Sequence, residues 1–435
     1  MKDVDRLPEG WRAVRLRYLA DIRSSNVDKK SYEDGESVRL CNYVDVYHNE
    51  YITSDMDLMR ATATEREIER FALRRGDVII TKDSESRDDI GIPACVSEDL
   101  TGVVCGYHLA LLRPLDTLYG PYLLRALRAP SVLQQLYESA RGITRFGLSL
   151  SSIGDLEIPL PPLDEQRAIA ADLDRETARL DALTEAKGRL LERLAARRQS
   201  LVTRAVTRGL DPDVALKDSG VDWLGEVPAH WTVPRLKHIA EVRGGVTKGR
   251  KLDASETVSV PYLRVANVQD GYIDLRHVST IDVLPPDVKR YGLVRGDVLM
   301  NEGGDRDKLG RGAVWDGQID PCLHQNHVFA VRCSTVDPEW LSAFTGSGPA
   351  KAYFEMSAKR STNLASISAT SIRNLSVPLP PEAEQVTILS HIARETASLD
   401  ALAAATRQSV TRLGDRRAAL IAETVTGRRR VLQTA

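Results

Sequence analysis

The string PLPPLDEQ at 159–166 returns as PLPPEAEQ at 378–385, 219 positions on, in a chain of 435 residues. The match extends well beyond those eight letters. Downstream, Arg175-Glu176-Thr177-Ala178 returns as Arg394-Glu395-Thr396-Ala397, and Leu180-Asp181-Ala182-Leu183 as Leu399-Asp400-Ala401-Leu402, with no gap. Upstream, RRGDVII at 74–80 faces VRGDVLM at 294–300, GYHLALLR around His108 faces QNHVFAVR around His327, and LPEGWRAVRLRYLADIR at 7–23 faces VPAHWTVPRLKHIAEVR at 227–243. A period this long is no solenoid unit of 20 to 50 residues. It is a duplicated domain with its connector, and it predicts pseudo-two-fold symmetry.

Each copy changes character partway along. From about residue 7 to 158, short runs rich in strand formers (DVIIT, PACVS, HLALLR) are punctuated by Gly, Pro, Asp and Asn, the pattern of a small mixed α+β domain with long loops. From 164 to 208 there is no proline and one glycine, Gly188, among dense Ala, Leu, Arg and Glu, which predicts a long helix opened by Pro161-Pro162 with Asp164 as N-cap. The reading divides the chain into a first α+β domain (1–160), a helical region (161–208), a polar connector (209–226), a second α+β domain (227–379) and a second helical region (380–430).

Two seven-residue series run along each helix and predict an a/d seam. In the first helix they hold Leu173, Leu180, Leu194 and Leu201, and Ile169, Leu183 and Leu190. In the second they hold Ile392, Leu399, Leu413 and Leu420, and Ile388 and Leu402. Polar members such as Glu176, Lys187, Glu395 and Thr406 interrupt both, which suits an intramolecular pair of helices better than a long homodimeric zipper. About 45 helical residues span roughly 65 Å at 1.5 Å each. Each helix therefore reads as a strut.

Composition excludes several classes of function. The opening MKDVDRLPEGW has no apolar run of a leader, and nothing approaches the ~20 apolar residues of a membrane span, so the expected compartment is the cytoplasm and no membrane partner is expected. Five cysteines (41, 95, 105, 322 and 333) form no CxxC pair and read as buried thiols. At a net charge of −2, the chain is no general coat for nucleic acid, so any such binding uses local patches. There is no GxxxxGK[ST], HExxH or GxSxG motif and no Asn-Pro-Pro-aromatic tetrapeptide. The glycine-rich 303–312 reads as a surface loop, and His108 and His327, with no ligand-spaced neighbour in sequence, read as loop or strand-edge residues rather than as metal ligands.

What the loops do carry is hydrogen-bonding and cationic side chains at matching positions of the two copies. After the GDV strand come Lys82, Ser84 and Arg87, facing Asn301, Arg306, Lys308 and Arg311. Before the His strand come Tyr107 and His108, facing Gln325, Asn326 and His327, and before the closing strand Arg141, Thr144 and Arg145 face Lys359, Arg360 and Asn363. Arg and Lys suit guanine edges or phosphates, and Asn and Gln suit adenine. The set is chemically suited to read double-stranded DNA.

With duplicated α+β domains, duplicated long helices, and PLPPLDEQ and PLPPEAEQ opening those helices, the chain resembles the specificity subunit of type I restriction-modification enzymes over essentially its whole length. The resemblance implies a non-catalytic subunit with two target-recognition domains, each reading half of a bipartite DNA sequence. It also implies an antiparallel helical spacer that docks two methyltransferase subunits, which bring S-adenosylmethionine and flip an adenine for N6 methylation. Two restriction/translocase subunits, using ATP and Mg, complete the nuclease. No cofactor is expected on this chain. Two rival readings are a separately expressed specificity half of a fused restriction-methylation enzyme and a self-sufficient DNA-modifying enzyme with an unrecognised site.

Overall fold

The computed structural model describes residues 7–431 except 31, 33, 34, 250–252, 305–308 and 361–364. The chain forms two compact units, one of residues 1–188 with 407–435 and one of residues 189–406.

In the first unit the main sheet is built from β1 (Ala20–Ser24), β2 (Tyr51–Ile52), β3 (Val78–Thr81), β4 (Pro93–Val96) and β5 (Leu109–Pro114), in the order β1-β5-β3-β4-β2. In the second unit the strands are β6 (Ala240–Arg243), β7 (Val298–Asn301), β8 (Gly312–Val314) and β9 (Val328–Cys333), in the order β6-β9-β7-β8. The order repeats, and so does the register: Val78 faces Leu112 as Val298 faces Val331. The central strands β3 and β7 are buried at every position, which is why VIIT and VLMN read as unbroken runs rather than alternating ones. Each unit adds a three-stranded sheet of repeated order. In one, Glu36–Cys41 lies between Met59–Ala63 and Val103–Cys105; in the other, Val258–Leu263 lies between Ser279–Val283 and Leu323–His324.

The RGD letters before β3 and β7 have a structural cause. Gly76 and Gly296 turn the chain at φ of +86° and +90°, a conformation that favours glycine. The next residue, Asp77 or Asp297, accepts the backbone N–H three residues back (Arg74 or Val294) at 2.9 Å. It also takes two hydrogen bonds from one guanidinium on the neighbouring strand: 2.9 and 2.7 Å from Arg113, 2.8 and 2.7 Å from Arg332. A turn and a strand pair are locked by one carboxylate in each copy.

Two long helices are present, α1 (Leu163–Arg208, 46 residues) and α2 (Glu382–Val425, 44 residues). Helix α1 starts at Leu163, so Asp164 lies inside the first turn, where its charge complements the helix dipole, and is not the N-cap. The repeated EQ serves as a clasp. Gln166 is fully buried and satisfied: its Oε1 accepts from Tyr119 N at 2.8 Å, and its Nε2 donates to Thr117 O and Pro161 O at 3.0 and 2.9 Å. Gln385 makes the matching bonds to Asp337 N and Pro380 O. Glu165 accepts the indole N–H of Trp11 at 2.6 Å and Glu384 that of Trp231 at 3.1 Å. The first proline of each PLPP offers its carbonyl to a buried ring, Tyr122 at 2.6 Å and Trp340 at 2.9 Å. The motif fastens the start of each long helix to its own α+β layer.

Within the first unit, Asp181 of α1 pairs with Arg417 of α2 at 3.1 Å, and Asp172 with Arg429 beyond its end at 2.5 Å. Within the second unit, Arg198 meets Asp400 at 3.1 Å. The helices run antiparallel in both. One of the two expected seam series is displaced by a position. Ile169, Leu173, Leu180, Leu194, Ile388 and Ile392 are buried and Leu201, Leu399, Leu413 and Leu420 half-buried, whereas Leu183, Leu190 and Leu402 are exposed. One position on, Ala170, Thr177, Thr396 and Ala403 are buried and Thr184 and Val410 half-buried. Small residues let the helices approach, and the threonine hydroxyls are satisfied by the carbonyl one turn back, Thr177 to Leu173 O and Thr396 to Ile392 O, both at 2.7 Å.

An ionic cluster joins helix and sheet in the first unit. Arg125, 1% exposed, donates to Glu50 at 2.7 Å and to Asp174 at 2.8 and 2.6 Å. Arg128 and Arg417 also reach Glu50. Burial alone would raise the Glu50 carboxyl, but the guanidiniums of Arg128, Arg125 and Arg417 outweigh it and hold the group below the usual range. The cysteines are free, four buried and Cys333 partly so. Among the described residues no helix is long and apolar enough to cross a membrane.

Candidate nucleic-acid interface

In each unit, three loops far apart in sequence close on one another. In the first, Lys82 N donates to His108 O at 3.1 Å, Leu148 N donates to Lys82 O at 2.8 Å, and Phe146–Gly147 pairs with Asp83–Ser84. In the second, Glu302 N donates to His327 O at 2.9 Å, Ile367 N donates to Glu302 O at 2.8 Å, and Gly303–Gly304 pairs with Ala365–Ser366. The strand Lys359–Arg360 joins the same small sheet. The loops whose letters diverge most thus share one backbone frame.

At the centre of that frame sits a histidine held by a carboxylate. His108 Nδ1 lies 2.6 Å from Asp83 Oδ2, and His327 Nδ1 lies 2.6 Å from Glu302 Oε2, each across 25 residues. A carboxylate oxygen accepts, so Nδ1 is the donor and Nε2 is left as the acceptor of the neutral ring. Asn326 Nδ2 stands 3.4 Å from Nε2 of His327. His108 holds φ of +69°, unusual for a residue with a side chain and fixed here by its carbonyl bond to Lys82 N. Sequence spacing hid these carboxylates, since neither is near its histidine along the chain; the shared separation between copies was the available signal.

Around His108 lies an open hollow of about 480 Å³ lined by Lys29, Tyr43, Tyr47, Asp89, Arg145 and neighbours. The rings of Tyr43 and Tyr47 stack at 5.7 Å, and Tyr107 packs 3.7 Å from the His108 ring. Tyr47 Oη donates to Asp89 at 2.9 Å, a bond that pushes its phenol up, while burial first of all raises Tyr43. Both rings stay protonated, the O–H of Tyr47 being held by Asp89. Sequence reading missed Tyr43 and Tyr47, on the short helix Tyr43–His48, and Asp89, at the end of the loop after the GDV strand.

The predicted residues separate into groups. Arg141, Thr144, Arg145, Tyr107, His327 and Lys359 are exposed, and Lys82, His108, Gln325 and Asn326 partly so. Arg145 reaches to 3.5 Å from His108, and the Lys82 ammonium to 3.8 Å from Asp83. Three others turn to the scaffold. Asn301 is 1% exposed and donates to Val268 O at 3.0 Å, so it braces the interior and is not a surface reader. Ser84 is buried and accepts the Ser86 N–H. Arg87, although exposed, donates to Tyr137 O and Glu138 O at the end of the helix Pro130–Ser139. Arg311 is half-buried with its Nε enclosed. Arg306, Lys308 and Asn363, the Arg360 side chain and the middle of the 303–312 loop lie outside the described residues. No cluster of three or more metal-ligating side chains occurs among the described residues.

A frame of this kind, with donors, acceptors and flat rings on a fixed scaffold, suits base edges and phosphates better than covalent chemistry. Comparisons with known proteins point the same way. The family model for the type I restriction modification DNA specificity domain matches residues 8–193. A Methanocaldococcus jannaschii protein named for the type I restriction enzyme MjaX specificity subunit is 30% identical over 166 residues, 37% of this chain and 38% of that protein. The type I restriction enzyme EcoKI specificity subunit of Escherichia coli is 22% identical over 440 residues, covering 97% of this chain and 90% of that one. A chain from work on complex assembly and conformational transition of the type I R-M system superposes with a TM-score of 0.69 over 97% of this chain and 98% of its own. At 18% identity, that likeness shows the fold.

Proposed function

The chain belongs to the specificity subunits of type I restriction-modification enzymes, and from that premise we propose that its two units each read one half of a bipartite DNA target for methyltransferase subunits docked on its long helices. The observation that carries this reading is the repeated frame: two sheets of the same order, each presenting three divergent loops around a carboxylate-held histidine. A constant scaffold with variable loops reads different bases without refolding. Two similar readers carried on one chain suit two unlike half-sites of one target.

In this reading the chain performs no bond chemistry. The partner methyltransferases carry S-adenosylmethionine, restriction/translocase partners carry ATP and Mg, and the complex works in the cytoplasm. The near-neutral charge of the chain leaves part of the phosphate contact to those partners. Co-expressing the chain with its host's methyltransferase gene in a methylation-free strain, followed by sequencing of N6-methyladenine, tests it. The expected result is one interrupted motif that vanishes when the chain is omitted. Methylation that persists without the chain, or that falls on an uninterrupted motif, overturns it.

A further inference from the structure

Ile143 is 95% exposed, the most exposed large apolar side chain among the described residues. Its position is built. Arg141 and Gly147 exchange both backbone hydrogen bonds, at 3.1 and 2.8 Å, and so close a narrow loop. Gly142, at φ of +146°, packs so tightly that a Cβ there would stand 1.9 Å from the Arg145 carbonyl oxygen. The turn therefore admits glycine alone and throws residue 143 outward at the tip. Arg141, Thr144 and Arg145 around it are all exposed, and the Arg145 guanidinium comes within 3.5 Å of the His108 ring.

An apolar tip ringed by cations is poorly matched to an apolar protein surface, which would have to desolvate the arginines. It is well matched to a polyanion with an apolar stacked interior. Proteins that enter DNA this way place a branched apolar side chain between two base pairs while flanking cations hold the phosphates on either side. We propose that Ile143 is a wedge that partly unstacks one base step of the first half-site, and that this domain thereby selects a flexible step. The inference rests on the DNA-reading function proposed above. Pyrimidine–purine steps (TA, CA/TG) open most easily, so the step beneath Ile143 is of that class. Specificity at that position then comes from deformability, with no hydrogen bond to either base.

The test uses the assembled methyltransferase complex and duplexes of its mapped target, with 2-aminopurine placed in turn at each purine position of the first half-site. Stacking quenches this base and unstacking brightens it. The wild-type complex should brighten one position several-fold, apart from the methylated adenine, whose own extrusion also brightens it. Ile143→Ala should abolish that signal, Ile143→Leu should keep it, and the preference for a pyrimidine–purine step there should fall from about tenfold to near unity. Because the side chain is out in solvent, Ile143→Ala should melt like wild type. Gly142→Ala, which displaces the tip without touching the isoleucine, should also lose the signal. Selective binding by wild type and Ile143→Ala with identical fluorescence overturns the wedge alone. Loss of methyltransferase assembly in Ile143→Ala overturns it in favour of a protein contact. If neither protein prefers the target to a scrambled duplex, the DNA-reading assignment itself fails.

Discussion

Replacing Asp77 or Asp297 by alanine probes the duplication through its most closely repeated contact. Each carboxylate is at most 2% exposed and satisfies one turn N–H and two guanidinium N–H groups. The two arginines differ. The Arg113 side chain is 17% exposed and that of Arg332 31%, so Arg332 has more access to water once its partner is gone. Removing one member of a buried ion pair costs about 3–5 kcal/mol. Asp77→Ala should lie in that range, and Asp297→Ala nearer 2–3 kcal/mol, about the loss of charge-assisted hydrogen bonds with partial rehydration. For a unit of about 200 residues each kcal/mol moves the melting midpoint by roughly 2–4 °C, so Asp77→Ala should lower its unit by about 6–20 °C. Calorimetry combined with hydrogen exchange by mass spectrometry assigns the loss to residues 1–188 with 407–435 or to residues 189–406. The two changes share no partner, so the double variant should show their sum. A melting midpoint within about 1 °C of wild type for Asp77→Ala, or equal loss of protection in both units, would refute the reasoning.

Other substitutions address the helices, the pH response and the loops. Leu180→Glu buries a charge against α2 and should cost several kcal/mol, roughly 3–5, whereas Leu183→Glu, three residues on and exposed, should change the urea midpoint little. The Glu50 carboxyl is depressed in the fold, so its contribution is present above the ordinary glutamate value of about 4.3 and is lost as pH falls through the lower folded value. Glu50→Gln should therefore be less stable than wild type at pH 7 by about 1–3 kcal/mol, and the gap should narrow as pH falls below the ordinary glutamate range in paired denaturant titrations. Lys82→Ala and Arg145→Ala should each weaken target binding by about 1–3 kcal/mol if they read a base; if they hold phosphate they should weaken all sequences alike and lower the salt slope by about one. Unchanged binding in both would place the reading face elsewhere.

The duplication, the strand runs and the long helices were legible because each depends on local pattern: a repeat, an unbroken buried strand, a stretch without proline. The seam was only half legible. Leu183, Leu190 and Leu402 drew the reading to one phase, while the buried positions include Ala170, Thr177 and Ala403, whose small side chains carry little hydrophobic signal. The matching loops picked out three segments that the fold brings together, but could not tell which side chains turn outward. Asn301 has the chemistry of an adenine reader, yet it sits on β7, whose every residue is buried. Asp83 and Glu302 were passed over because their partners lie 25 residues away and meet them only once the sheets have formed. The glutamate and glutamine of the repeated motif looked like helix-opening residues, and their work as a clasp on Trp11, Trp231 and the loops before them needed coordinates.

That the two units read separate half-sites is tested most directly by exchange. Residues 7–158 are replaced by the corresponding domain of another family member, the chimera is expressed with the host methyltransferase, and methylated adenines are sequenced genome-wide. One half of the interrupted motif should change to that of the donor while the other half stays as it was. A change in both halves, or a motif unaltered by the exchange, would contradict the account.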